Sequence, residues 1–117
     1  MTEIEEKVRK IDGLLSHVWM VRTFLKHSEE AEEDDELNEV FRSLYDYMLA
    51  LGGPLSARDH EKYLKMARKK LGKLKKTTAL FLEIQPEISS HTNFQMAAQS
   101  LKLAVDQVDA ILTENES

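Results

Sequence analysis

Apolar residues recur every three or four positions along four stretches of the chain, with polar residues filling the gaps. That spacing marks one face of an α-helix. In the first stretch the face is Ile4, Val8, Ile11, Leu15, Val18 and Leu25. It is opened by Thr2-Glu3-Ile4-Glu5, a capping box whose hydroxyl and carboxylate satisfy free N–H groups of the first turn. The second stretch carries Leu37, Val40, Phe41, Leu44, Met48 and Leu51 behind Asp34-Asp35, and Gly52-Gly53-Pro54 is its expected stop. The third opens at Ser56-Ala57-Arg58-Asp59, a further box, and runs through Leu64, Ala67, Leu71, Leu74, Thr78 and Phe81 toward Pro86. The fourth follows a box at Thr92-Asn93-Phe94-Gln95, with Phe94, Ala97, Leu101, Ala104, Val108 and Ile111 on its face. The pattern predicts helices over about 3–27, 35–51, 57–85 and 93–113. No stretch alternates with period two over β-branched residues, so strands are not expected.

Amphipathic helices of this length with short connections predict an all-α fold, an antiparallel up-down-up-down four-helix bundle formed by a single domain over 1–117. This topology brings the ends of helices one and three to one pole with the starts of helices two and four. The Gly52-Gly53-Pro54 turn falls at the opposite pole.

Some apolar residues do not fit a one-sided helix. Met20 and Phe24 point away from the face of helix one, in a stripe with Gly13, His17 and His27. Met96 and Leu103 form a smaller second stripe on helix four, and Ala79-Leu80-Phe81-Leu82 is apolar nearly all round helix three. A lone four-helix bundle leaves each helix an outer side, so a surplus of this kind marks an interaction surface. Gly13, His17, Met20, Phe24, Met96 and Leu103 are its candidate interface residues, and a second copy of the chain is the simplest partner. Arg22 is the opposite anomaly. It falls between Val18 and Leu25 where an apolar residue belongs, and the expectation is that its stem follows the core while its head reaches the Glu29–Glu36 carboxylates.

Composition sharpens this picture. The 117 residues include only four Gly and two Pro, which leaves few places to turn and agrees with long helices. There is no Cys, which excludes disulfides, thiolate catalysis and thiolate-ligated zinc. Sixteen Lys and Arg stand against 21 Asp and Glu, a net charge of −5 that disfavours nucleic acid as a partner. The charge is segregated. Glu29 to Glu36 holds seven acids in eight positions, a tract suited to a solvated loop and a helix N-terminus but without the spacing of a calcium loop. Along helix three Arg58, Lys62, Lys65, Lys69, Lys73 and Lys76 cluster opposite the apolar face as a basic surface. Such a stripe is a wet face or a docking surface for a membrane or an acidic partner; no aromatic residue is interleaved to stack bases.

Candidate chemistry adds little. No Glu is followed three residues later by His, and the core faces carry no acid, so the di-iron carboxylate arrangement is excluded. The surroundings of His17 lack the acid and the Pro of a histidine phosphoacceptor box. Of four histidines no two share a helix face at three- or four-residue spacing, so no metal site is assigned. His27 and His91 do fall together at the acidic pole, the place where Zn²⁺ would have to bind. No nucleophile motif, phosphate loop or cofactor signature occurs. The expectation is a non-enzymatic helical interaction module without cofactors, a homo-oligomer or the binder of a protein partner. The alternatives are a small metal- or anion-binding bundle using Arg22, His27 and His91, and docking through the basic helix. The acidic N-terminus and the lack of an apolar run of about 18 residues predict no signal peptide and no transmembrane segment, hence a soluble cytoplasmic chain.

Overall fold

The computed structural model describes residues 2–114. In chain order the helices are α1 (Glu3–Lys26), a short 3₁₀ turn (Glu29–Glu32), α2 (Asp35–Ser56), α3 (His60–Ile88) and α4 (Thr92–Thr113), with no strand among the described residues. Each helix packs against its sequence neighbour, and α1 closes the ring against α4; α1 and α3 face each other across the diagonal. The result is the expected four-helix bundle.

Polar contacts set the register. Lys7 meets Glu114 at one end of the α1–α4 pair and the Phe24 ring packs edge-on against Phe94 toward the other, so the two helices are antiparallel. Tyr47 Oη donates to the Ala67 carbonyl between α2 and α3, and Arg68 Nε donates to the Leu112 carbonyl between α3 and α4. The core is one continuous cluster in which Ile11, Val18, Leu25, Leu44, Phe81 and Leu101 are wholly inaccessible. Each such side chain contributes about 1.5–3 kcal/mol when buried.

The helix ends differ from the expected ones, for local reasons. Gly52-Gly53-Pro54 does not stop α2, which continues to Ser56 with Pro54 buried in its last turn. Pro disfavours a helical residue before it by clashing with that residue's Cβ, and Gly53 has none. The helix ends instead on a Schellman arrangement. Arg58 takes a left-handed backbone (φ 57°), its N–H donates to Leu55 O, and Asp59 N–H donates to Pro54 O. The first turn of α3 is therefore capped by Asp59, whose carboxylate accepts from Lys62 N–H, and the helix starts at His60 rather than near Ser56. Pro86 also lies inside α3, which ends at Ile88 with the Gln85 side chain donating to Ser89 O. At α4 the cap moves back one residue. His91 Nδ1, not the Thr92 hydroxyl, accepts from Asn93 N–H, and Gln95 reaches back to Ser90 O. At α1 Thr2 caps as expected, accepting from Glu5 N–H.

Candidate functional site

The outer surface of α1 is where the bundle departs most from an ordinary polar exterior. On the α4 side, Met20 is 64 % exposed, Leu103 61 % and Met96 50 %. Met20, Phe24 and Met96 line one shallow groove together with Asn93 and Ser100. The register fixed by Phe24–Phe94 and Lys7–Glu114 puts Leu103 level with Ser16 and His17, so the apolar line continues along the α1–α4 seam. Gly13 and His17 are exposed on the same stripe, and nothing lies within 4 Å of where a Gly13 Cβ would be. Phe24 is only half exposed to this groove, because its ring turns inward to meet Phe94 at 5.0 Å. The polar residues of the groove are Asn93 and Ser100, and elsewhere on α4 Lys102 pairs with Asp106 at 2.7 Å.

The apolar girdle expected on α3 is absent from the surface: Phe81 is buried, Leu80 and Leu82 pack against the core, and only Ala79 faces out. Arg58, Lys62, Lys65, Lys69, Lys73 and Lys76 are all exposed, on the side of the bundle diagonally opposite α1. None of the six makes an ion pair within 4 Å among the described residues.

Arg22 does not reach the acidic tract. Its guanidinium lies against two aromatic rings, 4.8 Å from the centre of Trp19 and 4.7 Å from that of Tyr45, and the rings' own centres are 6.3 Å apart with their planes tilted by 45°. Delocalised charge and a flat shape suit Arg to this position. The carboxylates it was expected to meet are used locally: Asp34 caps α2 by accepting from Leu37 N–H, and the 3₁₀ turn carries Glu29, Glu30 and Glu32 past buried Ala31. The Asn38 side chain holds that turn by donating to Ala31 O and Asp34 O.

The histidines of the acidic pole serve helix ends. His27 Nδ1 lies 2.9 Å from Thr23 O, and His91 Nδ1 is the cap of α4. Among the described residues no three His, Asp or Glu side chains converge to hold a metal ion.

Sequence reasoning missed the aromatic partners of Arg22. Trp19, Tyr45 and Leu49 are exposed on the α1–α2 side, and their only sequence signal was that Trp19 and Tyr45 fall outside the core faces. It also missed Lys7, buried on α1 with its ammonium 3.5 Å from Glu114. No helix of the described residues is long and apolar enough to cross a membrane. No family model, curated protein or solved structure matches the chain.

Proposed function

We propose that the protein is a non-enzymatic helical module that pairs with a second copy of itself through the α1–α4 face. The observation that carries this reading is the exposure of Met20, Met96 and Leu103 along one seam. Exposed apolar groups in line are the usual mark of an association surface. Their surroundings favour a second copy as the occupant. A two-fold interface sets the same patch against itself. The α1–α4 groove tolerates that, because the polar residues lining it, Asn93 and Ser100, are uncharged. The acidic tract and the basic stripe would each meet their own sign.

Sedimentation equilibrium of the wild-type chain tests the reading, with Met20→Asp and Leu103→Asp as partners. The expected result is a wild-type dimer and monomeric variants with unchanged helicity, since both positions are exposed. A wild-type monomer at every concentration would contradict it.

A second reading has one observation of its own, the row of unpaired basic side chains on α3. On this proposal the stripe attaches the bundle to an anionic membrane surface, each Lys or Arg near the surface contributing about 1 kcal/mol at low salt. Vesicle co-sedimentation that survives charge reversal at Lys62, Lys65 and Lys69 would rule it out.

A further inference from the structure

Beside the Arg22 guanidinium, α1 and α2 form a cleft of about 470 Å³ whose lining includes Arg22, Lys26, Phe41, Arg42, Tyr45 and Asp46. Its volume lies in the range of small-ligand sites, about 300–1,000 Å³. Three side chains in it are cationic and one is anionic, and none of the four makes an ion pair within 4 Å among the described residues. The cleft therefore carries a local excess of about two positive charges on a chain of net charge −5. Arg22 is the centre of this excess. Trp19 and Tyr45 both flank its guanidinium, with their ring centres 6.3 Å apart, and its Nε is buried without a hydrogen-bond partner. A guanidinium offers five N–H donors in a rigid fork that suits bidentate bonding to an oxyanion.

We propose that this cleft binds a small organic phosphate monoester. The phosphate group carries about −1.5 to −2 charges near neutral pH, which matches the cleft's excess, and its oxygens suit the edge of a guanidinium bidentately. Lys26 from the last turn of α1 and Arg42 from α2 supply the flanking charges, and Phe41 with Tyr45 forms an apolar wall for the organic part. The site lies on the α1–α2 side, away from the α1–α4 seam, and does not depend on dimerisation.

Trp19 is the chain's only tryptophan and touches Arg22, so its fluorescence reports on the site. The experiment titrates the protein with phenyl phosphate, inorganic phosphate and succinate at constant ionic strength. The expected result is a saturable change with both phosphates, tighter for phenyl phosphate, and none with succinate. Arg22→Gln should weaken binding at least about tenfold. Because that substitution also alters the environment of Trp19, its binding is read by ³¹P NMR line broadening. Arg42→Gln, at an exposed position, should weaken binding several-fold while leaving the thermal unfolding curve in place. A non-saturating response, saturation by succinate alone, or equal affinity for phenyl and inorganic phosphate would overturn the proposal. So would wild-type affinity in both variants. Met20→Asp should bind as wild type, which separates this site from the dimer face.

Discussion

At the scale of single residues, two buried tyrosines show how differently similar positions are held. Tyr47 donates to Ala67 O across the α2–α3 interface, while the Tyr63 hydroxyl is buried without a partner. Tyr47→Phe should therefore cost about 1 kcal/mol, and Tyr63→Phe should stay within about 0.5 kcal/mol of wild type, as urea unfolding at neutral pH would show. Burial pushes both hydroxyls well above the usual tyrosine range, and for Tyr63 the nearby Asp12 charge, then Tyr47, add to it. The fold thus favours the neutral phenols. Their contribution is complete below the ordinary value of about 10 and is lost as pH rises above it, because only the unfolded chain then ionises. The double variant Tyr47→Phe/Tyr63→Phe should lose less stability than wild type between about pH 10 and 11. The burial of Tyr63 and of Lys7 could not be read from the sequence, since each depends on which helix lies opposite. The position of Arg22 on a core face was legible; its aromatic partners were not, because Tyr45 comes from another helix.

At the scale of helices, the apolar spacing placed all four elements, and the errors gathered at their ends. The Gly-Gly-Pro run looked like a stop because either residue type commonly ends a helix, yet the two together let α2 continue: Gly53 relieves the clash that Pro54 would impose. The left-handed position that a glycine usually fills is taken by Arg58, at a cost of roughly 1–2 kcal/mol. Arg58→Gly should raise the stability by up to about 1 kcal/mol, measured by chemical denaturation. Gly72, exposed inside α3 with open space at its Cβ, should gain about 0.5–1 kcal/mol on Gly72→Ala. Gly53→Ala should gain less than Gly72→Ala, or lose, because it restores a Cβ before Pro54. Equal gains at the two positions in thermal unfolding would show that the pre-proline clash does not govern the end of α2.

At the scale of the molecule, the bundle separates its surfaces by helix. The α1 exterior and its flanks carry the exposed apolar side chains and the basic-aromatic cleft, α3 carries the unpaired lysines on the far side, and the acidic tract sits at one pole. Met20, Met96 and Leu103 stand out in the sequence because each breaks the helical pattern of its own segment. That the α1 and α4 stripes join along one seam follows from the antiparallel register, a property of the assembled ring. The central claim is that this seam is covered by a second copy. Sedimentation equilibrium over a wide concentration range measures it directly. The account predicts twice the chain mass for the wild type and a single chain mass for Leu103→Asp; a wild-type protein that stays at one chain mass throughout would contradict it.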